Sequence, residues 1–540
     1  MTYSRRAVLR GGLAAAGASV LAAAPARADR GPFRHGVASG DPLPTGVILW
    51  TRVSPTAAAL PGSGVGDPLA VGWEISLDED FVEIRAAGTE LATSATDHTV
   101  KVDVDGLEPY QDYFYRFTAD GHTSAIGRTR TAAATEQHLD RLRLGVVSCA
   151  NWEAGFFSAY RHLAARDDLD AVVHLGDYLY EYPRGLYGGR SGSVRYHEPA
   201  HETVTLADYR IRHGQYKTDP DLAALHARVP FICTWDDHEI ADNAWSGGAG
   251  VQIPYLTPDW QQRRTAALRA YLEWMPVRAN GTSADPRLYR RLRFGDLAEL
   301  SMLDLRSYRS RQAIPAVGWR TVEDPTRSIT GKAQMEWLIA GVVSSPARWQ
   351  LVGNPVMIAP IVLPPMNPDI AAALHSVIGL PTAGIPALVD QWDGYAADRR
   401  RLFEAIDNHP SDVVFLTGDI HSSWAADLPL DLTRYPEGPR AGVEFVVPSI
   451  TAKGFGEALP SAPRTASVPL EDAIRSANPH LRYVELDSHG YGVLHLDPDR
   501  AQMDWFYVAD VADPGTGVRR AASFAVDSTG ALAQVPHTTE

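Results

Sequence analysis

The chain has 540 residues, of which 45% are hydrophobic and 21% charged. A chain of this length is expected to form about two to four domains, and its composition excludes a disordered, collagenous or coiled-coil protein. The formal charge is −15, which argues against general nucleic-acid binding because such binding needs a basic face. This charge is compatible with a phosphate substrate, since bound cations invert the local field.

The first 28 residues have the pattern of a twin-arginine export signal. Arg5-Arg6 precedes a weakly apolar, Ala- and Gly-rich stretch at 11–24, and Ala26-Arg27-Ala28 supplies a small-x-small cleavage site. A basic tail before a short helix is the alternative. The signal predicts recognition by the twin-arginine export machinery and a secreted, periplasmic or cell-surface location. No later segment has about 18 uninterrupted apolar residues, so we expect a soluble mature protein.

Residues 29–134 alternate apolar and polar side chains at the period of a β-strand, in runs such as 46–53 and 71–77. Leu107-Glu108-Pro109-Tyr110, followed by Tyr113-Phe114-Tyr115, resembles the tyrosine corner of fibronectin-type sandwiches. We therefore predict a small β-sandwich of the fibronectin or immunoglobulin type for residues 29–134, followed by a short linker.

From about residue 139, short apolar strands alternate with helical segments such as 158–166 and 260–274, which is typical of α/β architecture. Interruptions rich in proline or glycine at 183–192 and 359–386 predict long loops. We predict a second domain over residues 139–540, which makes the whole chain a multi-domain α+β/β protein.

Four predicted strands of this second region end in side chains that can bind metal ions. The side chains that follow these strands are Cys149, Asn151, Asp177, Tyr180, Asp237, His238, Asn243, Asp419 and His421. Ligands of α/β sheets bind at the carboxyl ends of the strands, so these loops are expected to converge on one crevice. Two cations about 3.5–4 Å apart clamp phosphoryl oxygens, so the pattern favours phosphate ester hydrolysis. Gly176 and Gly418 are expected to let the backbone approach the metals.

Taken together, the motifs resemble those of a known enzyme family. Three blocks resemble those of the calcineurin-like metallophosphoesterases: Gly176-Asp177-x-x-Tyr180, Asp237-His238-Glu239 and Gly418-Asp419-x-His421. The Gly-Asp-x-x-Tyr form of the first block is the one seen in purple acid phosphatases. Segments similar to those of the PhoD-type alkaline phosphatases are Ser148-Cys149, residues 235–239, Trp392-Asp393-Gly394-Tyr395, residues 303–309 and residues 35–41. The resemblance implies a four-layer α/β/β/α metallophosphoesterase domain over residues 139–540.

The same resemblance implies an iron(III)–calcium (Fe3+ and Ca2+) centre. Iron would be bound by Cys149, Tyr180 and His421, with Asp177 as the bridge between the metals. Calcium prefers oxygen ligands, and these would come from Asp177, Asp237, Asn243 and Asp419. Asp419 stands where purple acid phosphatases have a histidine, which favours calcium over zinc or manganese.

Three further residues are candidates for contacts with the substrate. His238 would contact the phosphate or protonate the leaving group, with a metal-ligand role as the alternative. Arg306 would clamp phosphoryl oxygens in a fork, and a structural salt bridge with Asp304 is the other interpretation. Asn151 would contact phosphate or a second calcium. Asp236 is expected to orient its neighbours rather than bind metal.

Several of these residues also have a purely structural explanation. Cys149 is otherwise a buried apolar side chain, or it forms a disulfide with Cys233, the only other cysteine in the chain. Tyr180 is otherwise a core aromatic residue, and His238 a hydrogen-bonded core histidine. The cluster Trp392-Asp393-Gly394-Tyr395 lines the substrate entrance or, more commonly for such a cluster, only packs.

We expect a secreted, metal-dependent hydrolase in which a metal-bound hydroxide attacks phosphorus and releases phosphate from extracellular mono- and diesters. The resemblance extends to secreted phospholipases D of the same metallophosphatase type, which would need an apolar surface beside the crevice to bind phospholipid. A third hypothesis is a non-catalytic phosphate- or glycan-binding protein, and the intact ligand positions argue against it.

Overall fold

The computed structural model describes residues 31–250, 259–282, 285–313, 321–362, 388–407, 412–459, 461–527, 530 and 532–536. The predicted export signal at 1–28 and most of the predicted loop at 359–386 lie outside these ranges. None of the helices in the described ranges combines the length and apolarity needed to span a bilayer.

The N-terminal part is β-rich, as its alternating pattern predicts. One five-stranded antiparallel sheet consists of β3 (Leu69–Ser76), β4 (Ile84–Ala92), β6 (Asp112–Ala119), β7 (His122–Thr123) and β8 (Gly127–Arg130). Its buried side chains share an apolar cluster with those of β1 (Val37–Leu43), β2 (Gly46–Arg52) and β5 (Thr99–Asp105). The hydroxyl of Tyr113 accepts a hydrogen bond from the backbone N–H of Glu108 at 2.9 Å, which pins the turn that leads into β6.

Strands β1, β2 and β5 also form one edge of a ten-stranded sheet. Its spatial order is β24 (Leu532–Gln534), β23 (Val518–Asp527), β22 (Arg500–Val508), β21 (Gly490–Leu496), β9 (Leu142–Val147), β10 (Ala171–His174), β11 (Phe231–Cys233), β1, β2 and β5. β1 pairs in parallel with β11, with Gly40 opposite Phe231. The N-terminal and C-terminal parts of the chain therefore share one continuous sheet.

A second large sheet has seven strands. Its spatial order is β14 (Arg290–Phe294), β15 (Ala298–Met302), β16 (Trp349–Asn354), β17 (Asp412–Thr417), β19 (Arg440–Val446), β18 (Ser423–Pro429) and β20 (Leu481–Glu485). A separate hairpin pairs β12 (Asn280–Thr282) with β13 (Asp285–Arg287).

The helices cover the two large sheets. They are α1 (Ser158–Ala164), α2 (Leu206–Lys217), α3 (Pro220–Arg228), α4 (Trp260–Trp274), α5 (Lys332–Ser344), α6 (Ala396–Ile406), α7 (Phe455–Ala458) and α8 (Ser467–Ala477). The helix predicted at 260–274 is confirmed, and the one predicted at 158–166 ends two residues earlier. An apolar cluster that includes Trp349 and Trp505 joins the facing sides of the two sheets. Two other clusters pack α1 to α4 against the ten-stranded sheet and α5 and α6 against the seven-stranded one.

The topology brings the carboxyl ends of six strands together. β9, β10 and β11 are parallel neighbours in one sheet, and β15, β16 and β17 are parallel neighbours in the other. The hydroxyl of Thr234 donates to the carbonyl of Leu303 at 2.6 Å, which connects the loop after β11 to the loop after β15. The polar residues that follow these strands therefore face one crevice between the sheets.

Candidate metal centre

The predicted ligands come from loops at the carboxyl ends of β9, β10, β11 and β17. The loop after β9 is tied to the loop after β10, because the N–H of Cys149 donates to the carbonyl of Gly176 at 3.1 Å. The N–H of Ala150 donates likewise to the carbonyl of Asp177 at 2.9 Å. Main-chain contacts thus hold the first two ligand loops in a defined relative position.

The backbone at the ligands is unusual. Five of the seven predicted metal ligands have positive φ angles, namely Cys149 (61°), Asp177 (52°), Asn243 (54°), Asp419 (61°) and His421 (52°). Residues other than glycine rarely adopt this left-handed region, and backbone strain of this kind concentrates at functional sites. The surrounding fold therefore holds these side chains in positions that local preference disfavours.

Gly176 and Gly418 have a different role from the one expected. Gly176 has a φ of 106°, and a Cβ there would lie 2.5 Å from the Cβ of Asp236. A Cβ at Gly418 would lie 2.7 Å from the Cβ of Ser148. The glycines therefore make room for neighbouring loops of the site, and their predicted role in the approach of the backbone to the metals stays a prediction.

We expect Gly176→Ala to lower the free energy of unfolding by about 2–4 kcal/mol, because it adds both positive-φ strain and a steric clash. Urea denaturation measures this loss. Gly106→Ala is the matched control, since Gly106 has a φ of 82° and nothing within 4 Å of its Cβ position. An equal loss in the two variants would contradict the steric explanation.

The first donor group consists of Cys149, Asp177 and His421, whose ligand atoms all lie within 4.8 Å of one another. The hydroxyl of Tyr180 lies 3.1 Å from Oδ2 of Asp177 and 3.0 Å from Nε2 of His421, so it belongs to the same group. On the other edge of the imidazole, Nδ1 of His421 lies 2.8 Å from the carbonyl oxygen of Lys453. This contact turns Nε2 toward the donor group.

Two further donor groups adjoin the first. Asp177, Asp237 and His238 form one, and Asp236, Asp237 and Asp419 form the other, again with ligand atoms within 4.8 Å. Asp177 is shared between the first and second groups, and Asp237 between the second and third. The three groups therefore form one continuous set of donors with Asp177 in a bridging position.

Burial makes this cluster costly to ionise without a cation. Burial and the neighbouring negative charges raise the pKa of Asp177, Asp419 and Cys149 well above their ordinary values. Burial also raises the pKa of the Tyr180 phenol. Oδ1 of Asp237 is buried and has no hydrogen bond among the described residues, although Nη2 of Arg306 lies 3.3 Å from it. One guanidinium beside several carboxylates, a thiol, a phenol and an imidazole fits bound cations, which would supply further positive charge.

Arg306 forms ion pairs with the carboxylates of this cluster. Its guanidinium binds Asp236 through two nitrogens and donates from Nη2 to Oδ1 of Asp419 at 3.0 Å, and Nη2 lies 3.3 Å from Oδ1 of Asp237. Its side chain is only 1% exposed. Asp304 instead accepts hydrogen bonds from the backbone N–H groups of Arg306 and Ser307. The structure thus shows ion pairs of Arg306 with partners other than the predicted Asp304. Nη1 of Arg306 has no hydrogen-bond partner among the described residues, so the predicted phosphate contact stays a prediction.

We expect Arg306→Met to destabilise the chelator-treated protein by about 3–5 kcal/mol, because it leaves buried carboxylates without their partner. The loss should shrink at low pH, since protonated carboxylates no longer repel one another. Urea denaturation at two pH values measures both effects. Arg440→Met is the control, because Arg440 pairs with Asp427 at 2.7 Å away from the site. Unchanged stability of Arg306→Met would contradict the assignment.

His238 is oriented by a carboxylate outside the donor groups. Its Nδ1 lies 2.7 Å from Oε2 of Glu181, and its backbone N–H donates to Oδ1 of Asp177 at 3.3 Å. Burial lowers the pKa of His238, but Glu181, Asp237 and Asp177 outweigh burial and raise it well above its ordinary value. In the absence of bound cations the protonated form of the imidazole is therefore favoured.

The two predicted asparagines differ in their placement. Asn243 lies beside the donor set, where its backbone N–H donates to Oδ2 of Asp237 at 2.5 Å. Asn151 is fully buried, donates from Nδ2 to the carbonyl of Tyr187 at 2.6 Å and accepts from the N–H of Glu153 at 3.0 Å. These contacts order the loop after β9, and they give no support to the predicted phosphate contact of Asn151.

The alternatives for the cysteines and for the tryptophan cluster are also decided. Cys149 and Cys233 are both free and buried, so there is no disulfide between them.

Trp392 is fully buried and donates from Nε1 to Oδ1 of Asn354 at 2.9 Å, and Asp393 pairs with Arg399 at 2.6 Å. The cluster at 392–395 therefore packs and does not line the entrance.

Three side chains position the site without having been predicted to do so. Glu181 and Gln391 were not singled out in the sequence, and Glu239 was noted only as part of the Asp237-His238-Glu239 block. Glu239 accepts hydrogen bonds from the backbone N–H groups of Asp177, Tyr178 and Asp236, which joins the loops after β10 and β11. Glu181, which orients His238, is next to Tyr180 in the sequence, so its position was a usable signal. Gln391 donates from Nε2 to Oδ2 of Asp419 at 2.5 Å. No local pattern marks Gln391, because it reaches the site from a loop with no ligand motif of its own.

The donor set opens to solvent through a pocket of about 430 Å³. Its lining residues are Tyr187, Leu388, Asp390, Gln391, Asp419, Ile420, His421, Lys453, Gly454, Phe455 and Ala458. A small ester can therefore reach Asp419 and His421 from outside.

Comparisons with known proteins identify the family of the chain. The family model described as PhoD-like phosphatase matches residues 144–505, and the model of the N-terminal domain of PhoD-like phosphatases matches residues 18–133. Alkaline phosphatase D of Bacillus subtilis (strain 168) is 37% identical over 524 residues, which cover 94% of this chain and 83% of the relative. A solved structure described as "Structure of PhoD" matches with a TM-score of 0.82 and 36% identity, over 95% of this chain and 94% of that one. The resemblance seen in the motifs is confirmed, and the chain belongs to the PhoD-like phosphatase family.

Proposed function

We propose that the protein is a secreted, metal-dependent hydrolase of phosphate mono- and diesters. The observation that carries the proposal is the position of Asp177, whose carboxylate belongs both to the group with Cys149 and His421 and to the group with Asp237 and His238. One carboxylate between two donor groups is what a two-cation hydrolase needs, since paired cations stabilise both the attacking and the leaving oxygen. The name of the Bacillus subtilis relative, alkaline phosphatase D, supports the same class of reaction.

Iron(III) is proposed for the first donor group and calcium for the others. Cys149, Tyr180 and His421 offer the soft, phenolate and imidazole donors that suit iron. Oxygen donors that suit calcium come from Asp177, Asp237, Asn243 and Asp419. When bound, the cations would activate water and neutralise the charge of the phosphoryl group.

The chain's own side chains have separate roles in this proposal. His238 donates a proton to the leaving oxygen, while Glu181 keeps its Nδ1 engaged and fixes the orientation of the ring. Arg306 holds Asp236 and Asp419 in position and balances part of their charge. Glu239 fixes the relative positions of the loops that carry Asp177 and Asp237. No covalent intermediate on a serine, threonine or cysteine is required.

We also propose a location outside the cytoplasm and a more detailed description of the two domains. Export by the twin-arginine route is supported by the pattern of residues 1–28. A fibronectin-like sandwich over 29–134 is supported by the Tyr113 contact and by the cluster between its strands. A four-layer α/β/β/α domain over 139–540 is supported by the three apolar clusters that join helices and sheets.

The test is turnover of p-nitrophenyl phosphate and bis-p-nitrophenyl phosphate by the calcium-supplemented protein, before and after treatment with a chelator. We expect turnover of both soluble esters, its loss with the chelator and its return when calcium is added back. Iron content measured on the same sample checks the first donor group. A metal-loaded protein that hydrolyses neither ester would contradict the proposal and favour a binding protein.

One observation favours phospholipase D activity as a second candidate. An apolar pocket of about 270 Å³ adjoins the polar one and shares Leu388, Ile420 and Phe455 with it. Its other walls include Ile474 of α8 and Trp424 of β18. The apolar part of a phospholipid would fit such a surface beside the donor set. Faster cleavage of phosphatidylcholine vesicles than of either soluble ester would favour this candidate, and slower cleavage would reject it.

A further inference from the structure

The chain has only four lysines, and the side-chain ammonium groups of three of them lie close to polar groups of the protein. The four are Lys101, Lys217, Lys332 and Lys453, whereas the chain has 50 basic residues in all. The ammonium of Lys101 donates to the carbonyl of Leu272 at 2.5 Å, and that of Lys217 lies 3.0 Å from Nε2 of His226. Lys332 is exposed and lies 3.9 Å from Glu336.

Lys453 lies in the loop between β19 and α7 and is one of the residues that line the pocket in front of the donor set. Its carbonyl oxygen is held by two side chains, Nδ1 of His421 at 2.8 Å and the hydroxyl of Tyr187 at 3.3 Å. Lys453 is half-buried, and its ammonium has no hydrogen bond or ion pair with any residue that the structure describes. The backbone of Lys453 is thus fixed, while its positive charge has no partner among the described residues.

This ammonium is the free positive charge of the pocket. Among the described residues that line the pocket, Lys453 alone is a lysine or arginine. Arg306 is buried behind the pocket and committed to carboxylates. Burial lowers the pKa of His421 to about 4, so its imidazole is neutral. Asp390 lines the same pocket and forms no ion pair with Lys453.

The position of Lys453 indicates which part of a substrate it meets. Asp419 and His421 of the donor set lie at the wall of this pocket, which opens to solvent. A substrate whose phosphoryl group lies at the donor set would therefore place its alcohol portion in the pocket that Lys453 lines.

We propose that Lys453 binds a second anionic group on the alcohol portion of the substrate, which makes esters with such a group the preferred substrates. The inference rests on the proposed function for the position of the phosphoryl group. An ammonium that lines a pocket and has no partner among the described residues is available for a charge-assisted hydrogen bond to a carboxylate or phosphate of the ligand. Lys453 is thereby a specificity-determining residue.

The decisive experiment compares two non-hydrolysable ligands of similar size, phosphonoacetate and ethylphosphonate, which differ by one carboxylate. Calorimetry at constant calcium concentration gives both dissociation constants for the full-length protein. We expect phosphonoacetate to bind about tenfold more tightly to the wild type, and Lys453→Met to abolish this preference. Lys453→Arg keeps the charge and should keep most of the preference. Lys332→Met, which removes the same charge at an exposed site, should leave it intact.

An unchanged preference in Lys453→Met would overturn the inference, as would an equal loss in Lys332→Met. If Lys453→Met does not fold, as judged by urea denaturation, Lys453→Gln replaces it in the comparison. Because the two ligands are not hydrolysed, binding is measured independently of catalysis. A protein that binds phosphonoacetate preferentially through Lys453 but hydrolyses no ester would contradict only the proposed function. Turnover of both p-nitrophenyl esters without the preference would contradict only the inference.

Discussion

Asp177→Asn is expected to lower the turnover of bis-p-nitrophenyl phosphate by at least about 10³-fold, because cations that stabilise the transition state supply several kcal/mol. The substitution keeps the shape of the side chain but removes the charge shared by two donor groups. It should also lower the content of both iron and calcium, since Asp177 is the proposed bridge. Elemental analysis by mass spectrometry measures the metals, and initial rates measure turnover.

Asp427→Asn is the matched control for loss of a buried carboxylate. Asp427 is 1% exposed and pairs with Arg440 at 2.7 Å, away from the donor set. We expect this variant to retain its metals and its turnover, even where its stability falls. If Asp177→Asn retained normal iron, calcium and activity, the two-cation arrangement would be wrong.

The second large effect is expected at His238. If its imidazole protonates the leaving oxygen, His238→Gln should slow the hydrolysis of an alkyl ester such as glycerol 3-phosphate by about 10²–10⁴-fold. Hydrolysis of p-nitrophenyl phosphate should fall much less, because p-nitrophenolate leaves readily without a proton. Values of kcat for the two substrates give the comparison. An equal loss for both esters would point to a metal-ligand role for His238.

The pH dependence tests the same residue through Glu181. Burial lowers the pKa of His238, whereas Glu181, Asp237 and Asp177 raise it well above the ordinary value in the metal-free protein. Cations bound at Asp177 and Asp237 would offset the contributions of those two carboxylates, and the contribution of Glu181 would remain. Turnover of the alkyl ester should therefore decline only as the pH rises through that raised pKa. Glu181→Gln removes the strongest of these neighbouring charges and should move the decline to lower pH. A pH profile that Glu181→Gln leaves in place would contradict the general-acid role.

Much of the site could be read from the sequence because its ligands follow strands directly. Cys149, Asp177, Asp237 and Asp419 each stand within a few residues of an apolar strand, and parallel strands bring their carboxyl ends to one edge. The contact between Tyr113 and Glu108 could also be predicted, because the two residues are only five positions apart. Contacts between residues this close in the sequence do not depend on how distant segments pack.

The partners of Arg306 could not be read in the same way. Two interpretations were open from the sequence, a phosphate clamp and a salt bridge with nearby Asp304, and both followed from local considerations. The structure instead pairs Arg306 with Asp236, 70 positions away, and with Asp419, 113 positions away. Those pairs exist only because β11, β15 and β17 end at the same crevice. A guanidinium buried among several carboxylates then binds those that the fold brings nearest.

The strand-end donor side chains, the β-rich N-terminal part and the family could be predicted from the sequence, because each depends on residue types at short, regular spacing. Three contacts became known only from the folded chain: Gln391 reaches Asp419, Glu181 orients His238, and Asn151 donates to Tyr187 of the loop after β10. The tertiary structure also decided that β1 joins the large sheet beside β11 and that Lys453 faces the pocket. These features depend on which distant segments become neighbours, and that follows from the packing of two sheets rather than from any local pattern.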